Sequence, residues 1–166
     1  MSVTPKLYVG TYAKYNDGNL FGKWIDLEDF DCKEDFLEAC AELHKDEDEP
    51  ELMFQDFEGF PREMYSESSV SDELWDNWVL LSDTQREILQ AYLEDVDSSG
   101  TIEQAEEAYQ GQHKSELDFT YELVEDLGYM NDMPEHLQMY FDYEKFARDL
   151  FISDYIFATD GHVFRR

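Results

Sequence analysis

Charge constrains this chain more than any other feature: 41 Asp and Glu stand against 12 Lys and Arg in 166 residues, a formal net charge of −29. A small soluble domain ordinarily carries a net charge of magnitude about 2–8, because self-repulsion opposes compaction. Disorder is the usual outcome of such an imbalance, but disordered acidic chains lack core-forming residues. Here apolar residues make up 42% of the sequence and aromatic ones 16%, so a folded, intensely acidic protein is expected. A Lys/Arg footprint for phosphate neutralisation is missing, which argues against nucleic-acid binding and against a basic membrane-surface helix.

The charge is unevenly placed. Residues 1–24 hold Lys6, Lys14 and Lys23 against Asp17, a net of +2. Residues 145–166 hold Lys145, Arg148, Arg165 and Arg166 against Asp149, Asp154 and Asp160, a net of +1. Taking +2 and +1 from −29 leaves −32 for the 120 residues between them. Acidic clusters there are interleaved with Leu, Phe, Tyr and Trp, which reads as folded elements with charged outer faces rather than an acidic tail. Residues 1–10 have no apolar h-region, and no run approaches the 18 apolar residues of a membrane span. A cytoplasmic protein is expected, with Cys32 and Cys40 as free thiols.

The periodicity predicts an α+β fold in three small subdomains: residues 1–61, 62–103 and 104–166. Residues 6–12 and 20–26 are short segments with β-branched and aromatic side chains, and Asn16-Asp17-Gly18-Asn19 between them is turn chemistry, a hairpin signal. A helix over 33–45 follows, with Phe36, Leu37, Cys40 and Leu43 on one stripe, and Leu52 to Phe57 makes a third strand in a ββαβ unit. In the middle, Ser71 caps a helix bearing Leu74, Trp75, Trp78 and Val79. Ser82-x-x-Gln85 and Thr101-x-x-Gln104 have capping-box form. The last third carries a helix over 114–127 ended by Gly128, and one helix starting at Pro134 that runs through Leu137, Tyr140, Phe141, Phe146 and Ala147. Asp160-Gly161 marks a type I′ hairpin.

Few motifs point to chemistry. Asp95, Asp97, Ser99, Thr101 and Glu106, with Gly100 at the sixth position, match an EF-hand loop between two helical patterns. An EF-hand-like Ca²⁺-binding protein is thus the alternative reading. Such loops usually come in pairs, however, and no second one is present; neither a metal nor any cofactor is expected. Cys40 and His44 lie i,i+4 on one helix, but without a second pair they read as a core thiol beside a surface His. Asp56/Glu58, or Trp24 near Asp26, look glycosidase-like in isolation, yet 41 carboxylates make such pairs by chance, so an enzyme is not expected.

The charge itself is the remaining candidate ligand. B-DNA presents one negative charge per about 1.7 Å of axis. Matching 29 net charges to that density asks for about 49 Å of length, whereas a compact chain of 166 residues has a radius of gyration of about 15 Å. Carboxylates so arrayed accept from the Arg and Lys of a DNA-binding groove as phosphates do, and an elongated form suits them.

The sequence resembles the ArdA antirestriction proteins over nearly its whole length. The matching pieces begin with Leu7-Tyr8-Val9 through Tyr15-Asn16-Asp17-Gly18, Gly22-Lys23-Trp24-Ile25-Asp26 and Asp56-Phe57-Glu58-Gly59-Phe60, and continue with Tyr109-Gln110-Gly111. The most specific are Pro134-Glu135-His136-Leu137, Tyr140-Phe141-Asp142-Tyr143-Glu144, Ala147-Arg148-Asp149-Leu150 and His162-Val163-Phe164. The resemblance implies an elongated homodimer, usually encoded on mobile genetic elements. It also implies mimicry of bent B-form DNA in the groove of type I restriction–modification enzymes, with no bound nucleic acid and no membrane. An EF-hand loop is not among the features it implies.

Phosphate mimics are expected on the central helices: Glu34, Asp35, Glu38, Glu42, Asp72, Glu73, Asp76, Asp83, Glu87, Glu94, Glu103, Glu107, Glu122 and Glu125. The family's antirestriction motif maps onto roughly residues 126–140. There Asp126, Asp132 and Glu135 accompany Leu127, Met130, Met133, Leu137 and Tyr140, which suit a dimer contact.

Overall fold

A computed structural model describes residues 3–166. Met1 and Ser2, which the first expected subdomain includes, lie outside the described residues. The fold is α+β, as the periodicity predicts, and the chain divides into two compact units, one ending at Arg86 and the other running Glu87–Arg166.

The first unit is built on an antiparallel sheet of β1 (Lys6–Thr11), β2 (Lys23–Asp26) and β3 (Leu52–Glu58), in the order β2-β1-β3. Leu7 faces Ile25 on one side and Phe57 on the other. Gln55 is an extra residue in β3, since Tyr8 pairs with Asp56 and Val9 with Phe54; the bulge re-aims the strand. The expected turn between β1 and β2 contains a helix, α1 (Tyr12–Asn16), because Thr11 Oγ1 accepts from the Lys14 backbone N–H at 3.3 Å and caps it. Helix α2 (Lys33–Leu43) buries Phe36 and Cys40, one turn apart. Cys32 is its N-cap residue rather than a helical one.

Ser71 Oγ accepts from Leu74 N–H at 3.0 Å and starts α3 (Asp72–Leu74), which continues as a π-helical turn over Trp75–Val79. Leu74, Trp75, Trp78 and Val79 are all buried, and the Trp75 ring lies 5.7 Å from Phe36. The end of that turn is closed by Arg86 from α4 (Asp83–Asp95). Its Nε donates to Trp78 O at 2.9 Å and its Nη2 to Val79 O at 2.7 Å. A helix end buried without a partner leaves carbonyls unsatisfied, so this guanidinium is a built-in cap. Its remaining charge meets Glu28 at 2.6 Å.

The second unit holds α5 (Ile102–Ala108), α6 (Glu116–Asp126), α7 (Glu135–Gln138) and α8 (Tyr143–Ser153). Its sheet consists of β4 (Tyr109–Gln112), β5 (Tyr155–Phe157) and β6 (His162–Arg165), antiparallel in the order β4-β6-β5. Phe119, Leu150, Phe151 and Val163 form its core, with Leu123, Phe146, Tyr155 and Phe157 packed against them. The Thr101/Gln104 capping box forms as predicted. So does the Ser82/Gln85 pair, in which each side chain takes the other's backbone N–H. Helix α6 ends in a Schellman motif: Gly128 at φ 65, Tyr129 N–H on Val124 O and Gly128 N–H on Glu125 O.

Two expectations are corrected here. The helix expected from Pro134 onward is two helices, because Asp142 Oδ1 accepts from Lys145 N–H at 3.0 Å and starts α8 afresh; Pro134 is the N-cap of α7, not its first residue. The Asp160-Gly161 hairpin forms, with φ values of 58 and 82, but Ala158 N–H bonds to His162 O, so the loop between them has three residues.

Candidate functional site: an outward face of carboxylates

Helices α2 to α6 sort their residues the same way. In α2, Phe36 and Cys40 face inward while Glu34, Asp35, Glu38 and Glu42 are exposed. Asp72, Glu73 and Asp76 are exposed beside buried Leu74, Trp75 and Trp78, and Asp83, Glu87 and Glu94 beside buried Ile88, Leu89 and Tyr92. The pattern repeats in α5, with Glu103 and Glu107 out and Ile102 and Ala105 in. In α6, Glu122 and Glu125 are out while Phe119, Thr120 and Val124 are in. Every one of the fourteen expected phosphate mimics is exposed. Among the described residues, which include all 41 acidic ones, every Asp and Glu except Glu47 and Asp118 is exposed.

The spacing on these faces is regular, which the sequence reading missed. Glu34, Glu38 and Glu42 follow one another at i,i+4, as do Asp83/Glu87 and Glu103/Glu107. Like charges at that spacing repel by about 0.2–0.5 kcal/mol per pair. Glu34, Asp35, Asp72, Glu73, Asp83 and Glu103 lie in first turns, where the helix dipole offsets part of that cost. Counter-charges reach only some members of the set. Lys33 pairs with Asp72, Lys45 with Glu42 at 2.5 Å, and Arg86 lies 3.6 Å from Asp83. The carboxylates of these pairs are exposed, so the pairs contribute little.

Residues 126–140 begin at the last residue of α6. Asp126, Asp132 and Glu135 are exposed, as are Leu127 (56%), Leu137 (45%) and Tyr140 (77%), whereas Met130 and Met133 are half-buried. Tyr129 and Met139 are exposed beside them. This is an unusual concentration of large apolar side chains on a surface otherwise so charged.

The side chains singled out for metal or acid–base chemistry have protein partners. Asp95 Oδ2 accepts from Thr159 N–H at 2.7 Å and from its hydroxyl at 2.8 Å. Asp97 Oδ1 accepts from Ser99 N–H and Oγ–H, which holds its carboxyl below the usual carboxylate range. Thr101 Oγ1 caps α5. His44 is buried, not at the surface as its sequence context suggests: its Nε2 donates to Val9 O at 3.1 Å, and its Nδ1 accepts from Lys14 Nζ at 2.9 Å. Beside it, burial pushes the Cys40 thiol up to about 12. Glu58 pairs with Lys6 at 2.8 Å. Among the described residues, one group of three converges: ligand atoms of His113, Asp118 and Glu122 lie within 4.8 Å of one another.

The fold and its surface define an acidic α+β protein whose anions face outward on short helices. The chain belongs to the ArdA family: the family model described as Antirestriction protein (ArdA) matches residues 7–165. No curated protein sequence matches the chain significantly. Membership carries an antirestriction function and an interaction with restriction–modification enzymes, in a family of inhibitor proteins rather than a class of enzymes. Among the described residues, no helix is long and apolar enough to cross a membrane.

Proposed function

We propose that the carboxylates stand in for the phosphates of B-form DNA and that the protein competes with DNA for the groove of a type I restriction–modification enzyme. The observation that carries this is the sorting of charge: every acidic residue but Glu47 and Asp118 is exposed. Much of that charge is held on capped helices at spacings that cost local stability. An i,i+4 step along α2 is about 6 Å, close to the ~6.8 Å of axis between every second phosphate on one DNA strand. A duplex-binding groove lined with Arg and Lys meets such a row as it meets phosphates, and opposite charges steer the encounter.

The dimer implied by the family resemblance fits the same reading. The acidic middle of the chain repels its copy, whereas Leu127, Leu137 and Tyr140 offer exposed apolar area beside the near-neutral C-terminal segment. Light scattering at moderate salt is expected to return twice the chain mass of 19.7 kDa; a monomer mass rejects the dimer.

The test of function is displacement. Fluorescent duplex bound to a type I methyltransferase core is titrated with the protein at low salt and followed by anisotropy. Full release of DNA, weakening steeply as salt rises, is the expected result. Duplex that stays bound at low salt refutes the proposal.

A further inference from the structure

His113 follows the last residue of β4, and Asp118 and Glu122 lie one turn apart on α6. The His113 side chain is only 8% exposed. Its Nε2 lies 3.2 Å from Gln110 O. A carbonyl only accepts, so Nε2 carries the proton, and in the neutral ring Nδ1 presents a lone pair. That Nδ1 is buried and has no hydrogen-bond partner, although Glu122 Oε2 is 3.3 Å away: the contact is close but not aligned as a hydrogen bond. A buried acceptor left unsatisfied is costly, and here it points at two carboxylates.

We propose that His113 Nδ1, Asp118 and Glu122 form a binding site for a divalent transition cation of the zinc type. Zn²⁺ takes imidazole nitrogen and carboxylate oxygen at about 2.0–2.2 Å, commonly in a tetrahedron. Adjacent ligands then stand about 3.3–3.5 Å apart, which is the separation of His113 Nδ1 and Glu122 Oε2. The three ligand atoms already lie within 4.8 Å of one another, little more than that spacing. The bond from Nε2 to a backbone carbonyl is the supporting contact that fixes the tautomer and orients a ligating His. The surrounding frame is stiff: Ser115 caps α6, the His113 ring packs edge-on against Phe119 at 5.1 Å, and His113 N–H donates to Gly161 O at 2.8 Å. Three protein ligands leave a fourth position for water. A hard cation such as Ca²⁺ or Mg²⁺ prefers all-oxygen ligands, so the His selects the transition ion.

The strongly acidic surface attracts any cation, so the test must separate this site from that atmosphere. The full chain is titrated with Zn²⁺ by calorimetry in excess Mg²⁺. One saturable equivalent is expected. Asp118→Asn and Glu122→Gln, which keep side-chain size, are expected to weaken it by more than the roughly 10–100-fold that losing a merely supporting contact costs. Glu38→Gln, on α2, is expected to leave it unchanged. Nitrogen NMR of the His113 ring is expected to shift at Nδ1, not Nε2, on adding Zn²⁺. Absence of a saturable equivalent in the unmodified chain, equal losses in all three variants, or a shift at Nε2 overturns the proposal.

Discussion

Two basic residues have roles that differ from charge balance. Arg86 is buried, and its guanidinium completes the carbonyls of Trp78 and Val79. Arg86→Met is expected to cost about 2–4 kcal/mol, because Val79 O loses the guanidinium donor and Trp78 O keeps only the Leu81 N–H, and Arg86→Lys recovers little since one ammonium cannot span both. Glu28→Gln costs under about 1 kcal/mol, as Glu28 is 42% exposed. Urea midpoints of the three variants check the order; equal midpoints contradict it. Lys14 bridges His44, Asp46 and Glu47. Burial disfavours its charge, but the two carboxylates prevail and raise its pKa. The bond to Lys14 holds Asp46 below the usual carboxylate range, and Thr11 followed by Lys14 does so for Glu47. A lowered folded-state pKa adds stability that is present above about pH 4 and lost as pH falls through the folded value. The stability advantage of the native chain over Lys14→Met is therefore expected to be full at pH 7 and to shrink below about pH 4. A difference in urea midpoint that stays constant from pH 7 to pH 3 contradicts this.

At the level of elements, function and local stability pull in opposite directions. Glu38 lies between Glu34 and Glu42, and Glu107 follows Glu103 by one turn in the last turn of α5. Glu38→Gln and Glu107→Gln are expected to stabilise by a few tenths of a kcal/mol each. Each is also expected to weaken DNA displacement slightly, with losses accumulating as further carboxylates are neutralised. Thermal melts alongside displacement titrations check both signs; variants that gain stability and keep full potency contradict the role of these faces. Much of this layout was legible in the sequence, since apolar stripes and capping boxes are local signals: the Ser82 and Thr101 starts and the Gly128 stop stand where their residues place them. Where legibility failed, the deciding contact was distant or the signal weak. Strand β4 is Tyr-Gln-Gly-Gln, a poor β-former held by pairing with β6 from the chain's end. The burial of His44 depends on a carbonyl 35 residues away. The break before α8 was readable, because Asp142 is a good N-cap, but the apolar spacing of Leu137, Tyr140 and Phe141 ran across it. His113 offered only a histidine ahead of an i,i+4 carboxylate pair, a pattern too common in so acidic a chain to single out.

For the whole molecule, a net charge of −29 is a standing electrostatic cost that a stable fold does not require. The proposed occupancy of a groove built for another polyanion gives that charge a purpose. That purpose makes binding to the enzyme exclusive with DNA, whereas inhibition from a separate surface leaves both bound. The direct measurement is the half-displacement concentration of the protein against a type I methyltransferase core at several fixed concentrations of competing duplex. Groove occupancy requires that it rise in proportion to free duplex, with no species containing all three components. A half-displacement concentration independent of duplex, or a stable complex of enzyme, DNA and this protein, contradicts it.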